Sequence, residues 1–82
     1  DYTEYIKFGD DEYALFVPPH ETVDFIICGR KISLGKFMKH TMHERRDGYL
    51  VLLFKVPKGE KMKILVYDRN SRDRSKNMLT IP

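Results

Sequence analysis

The three histidines are the side chains of this sequence best suited to metal binding. His40 and His43 are three positions apart, so they would share one face if their segment were helical. His20 lies far from both in the chain, directly after two prolines, and no Asp or Glu stands at a zinc-binding spacing from the pair. We therefore predict that the histidines are solvated and that the chain has no metal site.

Nucleophilic or acid–base catalysis has little support in the sequence. Cys28 is the only cysteine and has no neighbouring base, so a small buried apolar role is expected rather than that of a nucleophile. Glu44 and Asp47 are more typical of surface and turn residues than of a hydrolytic pair. The glycines are isolated and form no phosphate-binding loop. We predict no catalytic residues, no cofactor and no enzymatic activity.

Oxygen donors at alternating positions near the carboxyl end of the chain raise the alternative of a calcium site. Asp68, Asn70 and Asp73 could supply hard ligands for such a cation. Three arginines are interleaved with them and would repel the ion. A structural role for Asp68 is favoured, because an acid at a strand end accepts hydrogen bonds that fix the following turn.

Basic residues form the strongest candidate for a binding site. If residues 49–56 and 61–68 form a hairpin with its tip at 57–60, the segments before and after the hairpin lie at one end of it. This end would collect the candidate anion- or partner-binding residues Arg45, Arg46, Arg69, Arg72 and Arg74. Such a cluster can hold phosphate, sulfate or a carboxylate-rich partner. The competing interpretation is a solvated rim whose charge is offset by nearby acids.

The elements that must position these residues are short strands. Apolar alternation and turn residues predict strands at 5–8, 13–17, 22–28, 31–34, 49–56, 61–68 and 78–81. The run 49–56 is nearly continuous and is typical of a central strand covered on both faces. Residues 36–46 favour an irregular strand and loop over a helix, since they lack a strong cap. Six to seven strands predict an all-β antiparallel sandwich, or alternatively a small OB-type barrel.

The predicted core follows from the same apolar pattern. Mostly buried side chains are expected at Phe25, Ile27, Leu50, Leu52, Phe54, Ile64 and Val66. The 82 residues suffice for one domain, spanning 1–82, and a single cysteine allows no disulfide within the chain. No stretch is apolar enough to span a membrane. Because the chain begins with Asp1 and carries no signal-like segment, we expect a domain excised from a larger protein.

The second half of the sequence resembles the bacterial Ig-like domains. Asp47-Gly48 matches the opening of the pattern, Gly59-Glu60 its turn, Asp68 the closing acid of a strand, and residues 79–81 the last strand. Lys61 stands where the family usually carries Asn. The resemblance implies an Ig-like β-sandwich of the kind found in extracellular and cell-surface proteins, where it spaces or docks other domains.

Two functions are therefore expected from the sequence. The first is a non-catalytic interaction or spacer module of a secreted or surface-attached protein, which contacts neighbouring domains, another protein or an anionic ligand. The second is a cytoplasmic OB-type barrel that binds nucleic acid through basic loops and exposed aromatic residues. The net charge of +3 is compatible with either.

Overall fold

The computed structural model describes all residues, Asp1–Pro82, and confirms an all-β chain. It contains eight strands rather than six to seven, and one short helix. The elements are β1 (Glu4–Gly9), β2 (Glu12–Val17), β3 (Glu21–Ile27), β4 (Arg30–Ser33), α1 (Leu34–Met38), β5 (Met42–Arg46), β6 (Tyr49–Lys55), β7 (Met62–Asp68) and β8 (Asn77–Ile81). No helix is long and apolar enough to cross a membrane.

The strands form two antiparallel four-stranded sheets. Sheet 1 has the order β1-β2-β6-β5, and sheet 2 has the order β4-β3-β7-β8. The sheets do not close on each other, so the alternative prediction of an OB-type barrel is wrong. Their inner faces enclose one core, as expected for a sandwich-like arrangement of two amphipathic sheets.

The core contains alternate side chains from both sheets. Five of the seven predicted core residues are buried: Phe25, Leu50, Leu52, Ile64 and Val66. Ile27 and Phe54 also pack against this core but are only half-buried. The side chains that point into the core were thus predicted correctly, but the core is open to solvent at Ile27 and Phe54.

The predicted hairpin of residues 49–56 and 61–68 is wrong. β6 pairs with β2 and β5, whereas β7 pairs with β3 and β8, so the two strands belong to different sheets. Both edges of each strand are already occupied by other partners. Residues 56–61 therefore cross from sheet 1 to sheet 2, and the apolar sides of β6 and β7 meet across the core.

Residues 34–46 divide into a helical turn and a strand. The Ser33 hydroxyl accepts a hydrogen bond from the Lys36 backbone N–H at 3.3 Å and caps α1, which has only five residues. β5 then pairs with β6 along its whole length. The prediction of a strand in this segment is confirmed for 42–46, and the helical turn at 34–38 was missed because it has only five residues and its N-cap Ser33 lies before the segment that was considered.

Two tight turns use residues with positive φ. Asp47 (φ 52°) and Gly48 (φ 84°) join β5 to β6, as an Asp-Gly pair does in a type I′ hairpin turn. Cys28 (φ 51°) and Gly29 (φ 74°) join β3 to β4 in the same way. The Cys28 side chain is exposed at this turn, so the prediction of a buried apolar cysteine is wrong.

Candidate functional site

The predicted basic residues lie around one end of the molecule, although the hairpin expected to bring them there does not exist. Val17 pairs with Leu50 in sheet 1, and Glu21 pairs with Asp68 in sheet 2. The short connection between β2 and β3 therefore places the start of β6 and the end of β7 at the same end. There the Arg69 guanidinium donates a hydrogen bond to the Pro19 carbonyl at 3.1 Å.

Arg72 extends from this end onto the outer face of sheet 2. One guanidinium nitrogen of Arg72 lies 3.2 Å from both carboxylate oxygens of Asp24, a residue that is almost completely buried. The Lys31 ammonium lies 3.7 Å from the same carboxylate. Both cations also lie over the Tyr67 ring, at 5.2 Å for Arg72 and 5.9 Å for Lys31. Arg72 thus contributes to the packing of the 69–76 loop.

The remaining arginines differ in their contacts. Arg46 forms an exposed ion pair with Glu44 at 3.0 Å. Arg45 and Arg74 take part in none of the ion pairs or side-chain hydrogen bonds of the structure. Of the five predicted anion-binding residues, these two alone have guanidinium groups without a protein partner.

A second charged cluster surrounds the buried carboxylate of Glu21. One oxygen accepts hydrogen bonds from the backbone N–H and the hydroxyl of Thr3, both at 2.7 Å, and the other accepts one from Lys76 at 2.9 Å. Burial raises the pKa of Glu21, but the bonds from Lys76 and Thr3 outweigh burial and hold the pKa below its ordinary value. The bond to Glu21 also raises the pKa of Lys76. This cluster ties the amino-terminal segment to sheet 2.

The two histidines that are close in the sequence lie in different elements of the fold. His40 lies in the loop after α1 and His43 in β5, so the two do not share a helix face. No three His, Cys, Asp or Glu side chains are arranged to hold a metal ion. Asp68 pairs with Lys76, and Asp73 accepts a hydrogen bond from Ser71.

Apolar side chains also lie on the outer face of sheet 1, which no helix or strand covers. The strand register aligns two rows across the four strands, and both rows lie on the side opposite the core. The rows consist of Ile6, Ala14, Leu53 and Met42, and of Glu4, Phe16, Val51 and Glu44. We call these eight residues the outer face of sheet 1. Ile6 is 52% exposed and Met42 is 72% exposed.

Acidic groups border this outer face. A groove of about 530 Å³ crosses it between Glu4 and the Asp47 turn, with Phe16 and Val51 among its lining residues. Glu12 and Lys55 form the next pair on this side of the sheet, so the bordering carboxylates of Glu4, Glu12, Glu44 and Asp47 outnumber the cations of Arg46 and Lys55, with a net charge of 2 − 4 = −2. This face is therefore acidic on a chain whose total charge is +3.

The apolar run of β6 indicated this outer face in the sequence, but the run was taken to predict a strand covered on both sides. The continuous apolar run of β6 was expected to be covered on both sides, and its inner side chains are buried. Its outer side chains, including Val51 and Leu53, are only half-buried because no other element packs on them. The near-continuous run thus marked an apolar outer surface as well as the core.

The outer face of sheet 2 differs from that of sheet 1. The 69–76 loop brings Arg72 over this face, and both Asp24 and Tyr67 are buried there. Met78 is half-exposed on the edge strand β8. On sheet 1, by contrast, no helix or strand packs on the half-buried Phe16, Val51 and Leu53, and only the small Ala14 there is buried. No known protein family, curated protein or solved structure matches the chain.

Proposed function

We propose that this domain is a non-catalytic interaction module that docks a protein partner on the outer face of sheet 1. The observation that carries the proposal is one apolar row across all four strands, beside a second row that is apolar at its two central positions, with no helix or strand packed on either. Contiguous apolar surface with a polar border is characteristic of protein interaction sites, whereas isolated exposed apolar residues are ordinary.

The charges around the rows indicate the chemistry of the partner. Four carboxylates and two cations border them, so a complementary surface is apolar at its centre and basic at its rim. Glu4 and Glu44 stand at the two ends of one row. When two copies are stacked face to face with their rows aligned, these carboxylates meet each other, which disfavours a second copy as the partner.

The strand order supports an Ig-like module. Constant-type Ig domains place their first, second, fifth and fourth strands in one sheet and the third, sixth and seventh in the other. The orders β1-β2-β6-β5 and β3-β7-β8 follow this scheme if β4 is an additional strand beside β3. Together with the Asp47-Gly48 pattern, this order supports assignment to the Ig-like class. A place in a secreted or surface-attached protein is part of the same proposal.

The basic end has less support as the main binding site. Arg72 is bonded to a buried carboxylate, Arg46 to an exposed one and Arg69 to a carbonyl, so three of the five guanidinium groups already have partners. Arg45 and Arg74 remain for a polyanion. A nucleic acid would bind here through few free cations.

The proposal is tested with a probe of the expected chemistry. A fluorescent peptide with leucines in its centre and lysines at both ends presents an apolar centre with a basic border, and the same peptide with glutamates in place of the lysines provides the opposite charge. Fluorescence anisotropy should show binding of the basic peptide only. The variant Ile6→Asn should weaken that binding at least about tenfold, because it places an amide in the apolar row. Met78→Asn on sheet 2 is the matched control and should leave the affinity unchanged.

Three results would overturn the proposal. They are equal losses in the two variants, preference for the acidic peptide, and absence of binding to either peptide. Sedimentation of the free domain tests whether a second copy of the chain is the partner. A dimer that Ile6→Asn dissociates would mean that the outer face of sheet 1 binds a second copy instead. Binding of a single-stranded oligonucleotide that depends on Arg45 and Arg74 would move the site to the basic end.

A further inference from the structure

A second concave surface opens where the two sheets and α1 meet. The cleft has a volume of about 540 Å³, within the range typical of small-molecule sites. Its walls come from β3 and β4 on one side and from β6 on the other, while α1 and the 57–61 crossing form its ends. The half-buried state of Ile27 and Phe54 has its explanation here, because both side chains line the cleft.

Aromatic rings form one wall of this cleft. Phe37 of α1 stacks on the buried Phe25 with ring centroids 3.8 Å apart. Phe54 meets Phe37 edge to face at 5.4 Å. The three rings hold one another in place, and the accessible parts of Phe37 and Phe54 face the cleft. The wall is therefore both apolar and preformed.

Lysines surround the apolar wall. Lys36, Lys55 and Lys61 line the cleft, and none of them takes part in an ion pair. Glu60 is the only acidic residue that lines it, which leaves a net charge of 3 − 1 = +2 at the rim. The long lysine side chains can reach over the cleft while their ammonium groups stay at its mouth.

From this combination we infer that the cleft binds a free amphipathic carboxylate, with an apolar body of medium-chain length and one anionic head. The apolar body is removed from water against Phe37, Phe54 and Met62. The carboxylate lies at the mouth, where the ammonium groups of Lys36 and Lys61 donate charge-assisted hydrogen bonds to it. A cationic head would be repelled by the same rim.

This inference is independent of the proposed protein interface. Met42 and Leu53 belong to the outer face of sheet 1 and also line the mouth of the cleft, so these two residues are excluded from its test. Lys36 and Lys61 lie outside the outer face of sheet 1. Failure at one site can therefore be distinguished from failure at the other.

The test uses displacement of a fluorescent aromatic sulfonate, anilinonaphthalene sulfonate, from the purified domain. Decanoate should displace the dye at a concentration at least about tenfold lower than decyltrimethylammonium, which has the same chain and the opposite charge. Lys36→Glu combined with Lys61→Glu should weaken decanoate binding at least about tenfold. The control, Lys7→Glu combined with Lys63→Glu, changes the net charge equally but alters no residue that lines the cleft. The affinity of this control variant for decanoate should change less than about twofold.

Several results of this test would contradict a carboxylate site in the cleft. Equal loss in the two double variants, or equal displacement by the cationic and anionic amphiphiles, would overturn the inference. Sedimentation with phosphatidylglycerol vesicles separates a free carboxylate from a lipid head group, and binding to vesicles without binding to decanoate would also overturn it. Circular dichroism and thermal melting verify that each variant is folded, and Lys36→Gln with Lys61→Gln replaces the charge reversal if that variant unfolds.

Discussion

Substitution of Arg72 by Met should destabilise the domain even though half of the Arg72 side chain is exposed. The structure places its guanidinium 3.2 Å from both oxygens of Asp24, whose side chain is only 6% exposed. Removal of the arginine leaves a nearly buried carboxylate with only Lys31, at 3.7 Å, as a counter-charge. The sequence alone indicated Arg72 only as a candidate anion-binding residue and gave no sign of this contact with Asp24.

The magnitude follows from the partial burial of the pair. A hydrogen bond to a charged group contributes about 1.5–3 kcal/mol, and solvent screening of the half-exposed guanidinium favours the lower limit, about 1.5 kcal/mol. For a domain of this size, 1 kcal/mol shifts Tm by about 4–8 °C, so Arg72→Met should lower Tm by about 6–12 °C. A total stability of about 4–12 kcal/mol for 82 residues leaves the variant folded.

Calorimetry or circular dichroism at pH 7 would measure this loss. Arg74→Met is the matched control, because it removes the same charge from the same loop and Arg74 has no partner; its effect should stay within about 0.5 kcal/mol. A double-mutant cycle with Asp24→Asn should give a coupling energy of about 1 kcal/mol between the two side chains. Equal melting of the Arg72 and Arg74 variants, or zero coupling to Asp24, would refute the reasoning.

Two further predictions concern the interior and its buried acid. Leu52→Ala should lower the free energy of unfolding, measured in denaturant, by about 2–5 kcal/mol, because Leu52 is fully buried. A core phenylalanine typically contributes about 3–5 kcal/mol in the same comparison, and Phe54→Ala should cost less because Phe54 is only half-buried. A larger loss for Phe54→Ala would contradict the open cleft. Because its folded-state pKa is lowered, Glu21 stabilises the fold above its unfolded-state pKa, and this contribution is lost as pH falls through the folded-state pKa. Melting curves should therefore separate wild type from Glu21→Gln at pH 7 and bring them together at the acid end, and a constant difference would contradict this.

The sequence by itself determined the local structure. Apolar alternation and turn residues located seven strands near their observed positions, because a strand places successive side chains on opposite faces whatever its neighbours are. The Asp47-Gly48 turn was likewise readable, since few residue pairs tolerate two successive positive φ angles. The inward side chains Leu52 and Ile64 were identified from the same alternation.

Strand pairing was decided only by the tertiary structure. Two strands separated by four turn residues form a hairpin if they share a sheet, but β6 and β7 each have two other partners that come from distant parts of the chain. The alternation of side chains is the same in both arrangements. Pairing depends on contacts between distant segments, which the local pattern does not contain.

The two candidate sites depended on the tertiary structure for the same reason. The sequence contained the lysines of the cleft and the apolar outer side of β6, but what lies over a strand is determined by packing. The 69–76 loop brings Arg72 over the buried Asp24 of sheet 2, while no helix or strand packs on the outer face of sheet 1. Arg72, a predicted binding residue, therefore forms an ion pair with a buried carboxylate, and the apolar run that was predicted to be covered forms part of the proposed interface.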